Sequence, residues 1–365
     1  MHTTEEKRQR ALLAAVFLPK SKGARSLPGS DDSSLNELAD LATTAGAEIV
    51  AAVTQKRDEF VRATLMGEGK LLEIKDLAKN EGADVLIFDH ELSGSQIRNI
   101  EGITGVRTID RTMLILDIFA ARALSAEGKL QVELAQQKYR LPRLTGMGIT
   151  MSRQGGGIGA RGSGESKLEY DRRHIQNRIT TLSKKLKELE ARREQQAKRR
   201  EKDGVFTCAI VGYTNAGKST LLNRLTKAGV LAEDKLFATL DPKAMALYLA
   251  SGNKILLTDT VGLIRRLPHN LVEAFKSTLE TAANADLILH IHDLGDSEEE
   301  REAKALTVMK LLSDIGANAP MIDVWNKADT VSAEGVSDGE LLAVSATTGV
   351  GIDRLLAAIE EFVQA

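Results

Sequence analysis

Short apolar runs alternate with longer amphipathic ones from Ala11 to Asp110. Leu12 to Leu18, Glu48 to Val53, Val85 to Phe88 and Val106 to Ile109 have the length and apolar density of buried strands. Between them, Ser33 to Ala45, Lys70 to Asn80 and Ser95 to Glu101 carry apolar residues at helical spacing. This alternation predicts a small parallel sheet covered by helices, because a parallel neighbour is reached only through a crossover. Residues 1–110 are expected to form this α/β domain.

The pattern then changes. Thr112 to Arg140 has no proline and keeps a helical period, so it predicts one long helix interrupted only by Gly128. Leu141 to Ser166, LPRLTGMGITMSRQGGGIGARGSGES, is dense in glycine and nearly empty of large apolar groups, which predicts a loop. Beyond it, Leu168, Ile175, Ile179, Leu182, Leu186 and Leu189 mark a narrow apolar seam on one helix. Two helices joined by one loop predict an antiparallel hairpin over residues 111–203. From Gly204 to the end, strand-like and helical runs alternate again, as in a doubly wound sheet that binds ligands at the carboxyl ends of its strands. Residues 204–365 are expected to be this second large domain.

Charge and composition narrow the picture only locally. The 365 residues exceed a usual single domain, and 49 basic side chains nearly balance 51 acidic ones. Lys167 to Lys202 departs from that balance, with 13 Lys or Arg against 6 Asp or Glu, which reads either as a solvated basic helix or as the surface that an anionic partner would meet. The single cysteine, Cys208, has no internal disulfide partner. The charged start MHTTEEKRQR and the lack of any long apolar run predict neither export nor membrane insertion. The expectation is a cytoplasmic monomer, with at most a peripheral membrane association.

The chemistry begins after the apolar run Val205 to Val211. Gly212-Tyr213-Thr214-Asn215-Ala216-Gly217-Lys218-Ser219 is a P-loop in its strand-to-helix context, continued by Thr220. Its glycines let consecutive amides turn toward phosphates; Lys218 adds a charge near the β and γ groups, and Ser219 a hydroxyl for Mg²⁺. Asn326-Lys327-Ala328-Asp329 follows the strand-like Met321 to Trp325. A carboxylate at Asp329 can accept both the N1 and N2 protons of guanine, a pair that adenine does not offer. Ser345-Ala346-Thr347, after Leu341 to Val344, lies where backbone amides would contact guanine O6. Asp259-Thr260-Val261-Gly262 follows Lys254 to Leu257 and reads as a second switch, with Asp259 near the metal and Gly262 sensing the γ-phosphate. Phe237-Ala238-Thr239 supplies the first switch, with Thr239 as the metal ligand; Thr226 also lies in this interval.

The predicted ligand is therefore GTP or GDP with Mg²⁺ on Ser219, Thr239 and Asp259, and the predicted catalytic set is Lys218, Thr239 and Gly262. Many GTPases place glutamine after the switch II glycine to orient the attacking water, whereas this chain has Leu263. Turnover without a partner is expected to be slow. Asn215 is the candidate ligand for a K⁺ ion against the phosphates, the alternative being an asparagine that only fixes the loop.

With these motifs in place, the sequence resembles the HflX-type ribosome-associated GTPases over almost its whole length. Gly155-Gly156-Gly157-Ile158-Gly159-Ala160-Arg161-Gly162-Ser163-Gly164-Glu165 looks like the family's glycine-rich signature. It is followed by Leu168-Glu169 and Asp171-Arg172-Arg173. Further matches are Asp110-Arg111-Thr112 with LILDIFAARA, Glu127 to Ala135, and Leu267-Pro268-His269. Ser163 departs from the family's usual proline.

The resemblance implies an N-terminal α/β domain and helical hairpin beside a P-loop GTPase domain, binding the large ribosomal subunit and its rRNA. Arg153, Gly156, Gly157, Gly159, Arg161, Gly162, Gly164, Arg172 and Arg173 are the candidate RNA contacts, since arginines pair phosphates or stack on bases and glycines admit close backbone approach. It further implies separation or rescue of ribosomes under stress such as heat, and in some members ATP binding by the N-terminal domain. Gly67-Glu68-Gly69-Lys70 is the one phosphate-like string there, and without P-loop spacing it reads as a helix-start turn. The chain ends soon after a last predicted helix, Asp353 to Phe362, so contacts of a longer relative's C-terminal domain are not expected. A GTP-gated RNA-binding protein outside the ribosome and an ATP-driven RNA remodeller are the competing functions.

Overall fold

The computed structural model describes residues 8–18, 31–144, 163–202, 204–226, 236–237, 240, 243–265, 281–331 and 341–364. They divide into two compact units, one comprising mainly residues 30–121 and 130–185, the other mainly residues 186–365 with 122–129.

The first unit holds β1 (Arg10–Phe17), α1 (Asp31–Thr44), β2 (Glu48–Lys56), α2 (Glu68–Glu81), β3 (Val85–Phe88), α3 (Gly94–Thr104) and β4 (Arg107–Asp110). All strand pairs are parallel, in the order β2-β1-β3-β4. Ala11 to Phe17 of β1 are buried throughout, as expected of a central strand covered on both faces, which explains why it reads as an unbroken apolar run. Leu12, Ala14, Val16, Leu86 and Phe88 pack with Leu71, Ile74 and Ile100 of the helices on one side. Ser93 closes a capping box with Gln96 at the start of α3, and Gly105 ends that helix at φ 72°. Gly67 stands just before α2, with its N–H donating to Gln55 Oε1 at 2.9 Å, so the phosphate-like string is the start of a helix.

Asp110 and Arg111, part of the family-like string, are buried between elements. Asp110 accepts from the N–H groups of Leu92 and Met113, both at 2.9 Å, while Arg111 pairs with Asp89 at 2.7 Å and with Glu37. Burial raises the Asp110 carboxyl above its ordinary range, opposed by those amides, Tyr139 and Arg143.

The middle of the chain differs from the single long helix expected over Thr112 to Arg140. There are two helices, α4 (Arg111–Arg122) and α5 (Ala126–Arg140). The break falls at Ser125, whose hydroxyl accepts the Gly128 N–H at 2.8 Å and so caps a new helix; Gly128 lies inside its first turn. The next helix, α6 (Ser163–Lys202), begins at Ser163, inside the stretch predicted as loop. Its residues Leu168, Ile175, Ile179, Leu182, Leu186 and Leu189 are buried or half-buried among exposed neighbours, as their spacing predicts. Glu133 of α5 pairs with Arg178 of α6, and Glu127 with Arg193, at 2.6 and 2.8 Å. The partner number rises in α6 as it falls in α5, so the two helices run antiparallel.

The second unit carries β5 (Thr207–Gly212), α7 (Lys218–Thr226), β6 (Ala244–Tyr248), β7 (Lys254–Asp259), β8 (Leu287–Asp293), α8 (Glu298–Asp314), β9 (Met321–Asn326) and α9 (Ile352–Gln364). The sheet order is β6-β7-β5-β8-β9, with only β6 antiparallel to its neighbour. The predicted strand Leu341 to Val344 forms a single bridge from Ala343 to Trp325 at the β9 edge. Among the described residues no helix is long and apolar enough to cross a membrane.

Candidate functional site

The loop from Gly212 to Ser219 leaves the carboxyl end of central strand β5 and enters α7. Gly212 lies so close to β8 that a Cβ there would stand 2.6 Å from the Ile291 carbonyl oxygen. Gly217 has φ +86°, and a Cβ on it would collide with Asn326 Nδ2. Both glycines are therefore required by the surrounding backbone and side chains. Asn215 also takes the left-handed conformation, at φ 62°, with its side chain exposed at the rim of the loop.

Lys218 is buried and donates to the Tyr213 carbonyl at 2.7 Å, folding its ammonium back over the loop. Burial pulls its pKa down to about 8, with Asp259 acting in the opposite sense. Ser219 donates its hydroxyl to Asp259 Oδ2 at 2.6 Å. A hydroxyl and a carboxylate in contact at the loop's end form an all-oxygen donor set of the kind Mg²⁺ prefers, so these residues fit that ion. Thr214 Oγ1 is buried with no hydrogen-bond partner among the described residues, and Thr220 is half-buried on the first turn of α7.

The segment expected to form the second switch follows β7 directly. Thr260 is buried and donates to the Ile210 carbonyl at 2.7 Å, while Val261 is buried beside it. At Gly262 a Cβ would come within 2.8 Å of Thr214 Cγ2 and 3.1 Å of Lys218 Nζ, so the segment lies against the P-loop. Leu263 exchanges backbone hydrogen bonds with the P-loop strand: its N–H donates to Gly212 at 3.2 Å and its carbonyl accepts from Thr214 at 2.8 Å. Its side chain is buried with Ala209, Val211, Ala282, Ile288, Val308 and Leu312. It is a core residue. Of the predicted first switch, Phe237 is buried at φ 56°, whereas Ala238 and Thr239 lie outside the described residues.

The motifs predicted to read the base converge on the same loop. Asn326 donates its side-chain amide to the Ala216 carbonyl at 2.8 Å and accepts the Ala346 N–H at 3.1 Å, joining three motifs through one side chain. Lys327 takes φ 64° and pairs with Asp293 at 2.7 Å. Asp329 is exposed, and Ser345 donates to its Oδ1 at 2.5 Å, fixing one carboxylate oxygen. Ala346 is buried and Thr347 exposed. Asp293 stands opposite Asn326 in the β8–β9 register, so its support of Lys327 follows from strand pairing, which no sequence spacing reveals.

Most of the predicted RNA contacts fall outside the described residues. Arg153, Gly156, Gly157, Gly159, Arg161 and Gly162 lie outside the described residues, and Gly164 falls in the first turn of α6. Arg172 is exposed, and Arg173 is 73% exposed with Glu169 3.8 Å away. The first unit also holds a cleft of about 730 Å³ whose lining includes Arg107, Arg140 and Asp117, with none of the nucleotide motifs on it.

Comparison with known proteins places this geometry. Residues 32–120 match a family described as GTP-binding GTPase N-terminal, residues 122–200 its Middle Region, and residues 207–327 a 50S ribosome-binding GTPase family. The GTPase HflX of Caldanaerobacter subterraneus subsp. tengcongensis is 53% identical over 97% of this chain and 80% of its own length. The chain belongs to the HflX GTPase family. The HflX of Escherichia coli is 42% identical, over 97% of this chain and 82% of its own. A crystal structure of SsGBP in complex with GDP shares 25% identity and a TM-score of 0.52, covering 98% of each chain. Both the nucleotide-binding α/β fold and the helical middle region are thus those of HflX GTPases, and GTP hydrolysis is the family's reaction.

Proposed function

We propose that this HflX chain is a GTP-operated switch for the large ribosomal subunit, bound with GTP and released after hydrolysis. The observation that carries this reading is the match of residues 207–327 to a 50S ribosome-binding GTPase family, in a chain whose arginine-rich α6 adjoins the glycine-rich signature. Arg172 and Arg173 at the start of that helix stand in solvent, where guanidinium groups can meet rRNA phosphates. Separation or rescue of stalled ribosomes under stress is the work such a switch performs.

Within the site, the P-loop amides and Lys218 hold the β- and γ-phosphates. Ser219, Asp259 and Thr239 hold Mg²⁺, which neutralises phosphate charge when bound. Asp329 reads guanine N1 and N2, and the Ala346 amide reads O6. Thr260 and Val261 carry Gly262 to the γ-phosphate. Asn215, held in its left-handed turn at the rim, offers its carbonyl to K⁺. With Leu263 committed to the core, no side chain at that position orients water, so the ribosome completes the hydrolytic site.

Two measurements test this. The chain with a non-hydrolysable GTP analogue is expected to co-sediment with purified large subunits and to separate from them with GDP; failure to co-sediment overturns the ribosome assignment. GTP turnover is expected to rise with large subunits and to be faster in K⁺ than in Na⁺. Equal rates in the two salts leave Asn215 with only a loop-fixing role.

A further inference from the structure

Just before the guanine-reading loop, β8 and β9 carry a polar cluster that nucleotide binding does not use. In their parallel register His290 stands opposite Asp323 and His292 opposite Trp325. Residues two apart on a strand share a face, so both imidazoles and the carboxylate lie on one side of the sheet. His290 Nδ1 is 3.0 Å from Asp323 Oδ1, and His292 Nε2 is 2.8 Å from the same oxygen. The three donor atoms all lie within 4.8 Å of one another.

The surroundings fix the rings and leave the carboxylate open. The His290 and His292 side chains are 3% and 8% exposed, whereas Asp323 is 54% exposed. The His292 ring lies between the His290 ring at 3.9 Å and the Trp325 ring, stacked on it at 4.5 Å.

We propose that His290, His292 and Asp323 bind a divalent transition-metal ion of the Zn²⁺ class, with water in the remaining position on the exposed side. Two imidazole nitrogens and one carboxylate oxygen suit Zn²⁺ and its neighbours, whereas Mg²⁺ prefers oxygen alone. Metal–ligand bonds of about 2.0–2.2 Å in a tetrahedron put donor atoms roughly 3.3–3.6 Å apart. The observed 2.8 and 3.0 Å spacings therefore need to open by a few tenths of an ångström, which a half-exposed aspartate permits. On binding, each imidazole presents a lone pair where it now donates an N–H, and its proton is carried by the other ring nitrogen; no net charge is lost from the rings.

The site's position gives it a consequence. Asp323 lies three residues before Asn326 on β9, and Asp293, next to His292, already grips Lys327. A bound ion ties β8 to β9 beneath the loop that we read as the guanine reader. The existence of the metal site does not depend on that reading.

The test uses the full chain stripped of metal by chelator and freed of nucleotide, titrated with Co²⁺ alone. One equivalent is expected to give the visible absorption of a four-coordinate nitrogen and oxygen site, displaced by Zn²⁺ and not by excess Mg²⁺. The absorption is expected to be lost in His292→Gln and in Asp323→Asn, each checked for a cooperative thermal melt in chelator. Zn²⁺ is further expected to raise the melting temperature of the parent and not of the variants. No such absorption, or the same absorption in both folded variants, overturns the proposal in favour of a carboxylate that only accepts two hydrogen bonds. This outcome is independent of GDP binding, so its failure is distinguishable from failure of the nucleotide-site reading.

Discussion

Asn326 reaches across 110 positions of chain to donate to the Ala216 carbonyl at 2.8 Å, while its other amide atom receives the Ala346 N–H. The P-loop and the Ser345 loop are thereby held at one distance by a side chain that is itself buried. Asn326→Ala leaves a buried carbonyl and a buried amide unpaired, each at a cost of about 1–3 kcal/mol. Fluorescence titration with a labelled GDP is expected to show affinity weakened roughly ten- to a hundredfold. Unchanged affinity would mean that the two loops are fixed by other contacts.

The proposed reading of the base gives specificity to the neighbouring Asp329. Its Oδ1 accepts from Ser345 at 2.5 Å, so the carboxylate is presented in one orientation. Asp329→Asn replaces one acceptor by a donor, which matches a purine with a carbonyl at C2. Competition binding is expected to move preference from GTP toward XTP by at least about a hundredfold, since a site built for hydrogen bonds rejects the mismatched pattern strongly. Retained GTP preference would place base recognition elsewhere.

Leu263 invites the substitution Leu263→Gln, intended to restore a water-orienting group. The structure argues against success, because the side chain packs among Val211, Ile288, Val308 and Leu312. A glutamine amide there loses hydration without a partner, and urea unfolding is expected to show a loss of roughly 1–3 kcal/mol. Single-turnover GTP hydrolysis without ribosomes is expected to stay at the parent rate. Faster hydrolysis would show that this segment turns its side chain toward the phosphates.

Cys208 provides a reporter of the second unit. It is 1% exposed in β5, and burial pushes its thiol well above the ordinary range, with Asp286 adding to the shift. A disulfide reagent is expected to modify it only at the rate at which the sheet opens, and bound GDP is expected to slow that modification. Rapid labelling of the folded protein would contradict the buried placement.

Much of this architecture is legible in the sequence. The strands β1 to β4 and the seam of α6 carry periodicities that are set by burial alone, so their residues announce them. The nucleotide motifs were legible because phosphates and guanine demand particular residue types at particular spacings. What stayed hidden depends on partners distant in sequence. The break at Ser125 lies in a run that has no proline or glycine at that point, and only the cap to Gly128 reveals it. The start of α6 at Ser163 was masked by the glycines beside it. Asn326 read as part of a base-binding motif, yet its hydrogen bonds belong to two other loops. The convergence of His290, His292 and Asp323 depends on the register of β8 against β9, which residue spacing does not encode.

At Gly262 the molecule leaves room for a hydrogen atom and nothing larger, with Thr214 on one side and the Lys218 ammonium on the other. The clearance between switch and phosphate loop is therefore smaller than a methyl group. The absence of a side chain at one position acts as a mechanical tolerance: a group added at residue 262 has to push Thr214 or the Lys218 ammonium aside before the two segments can meet.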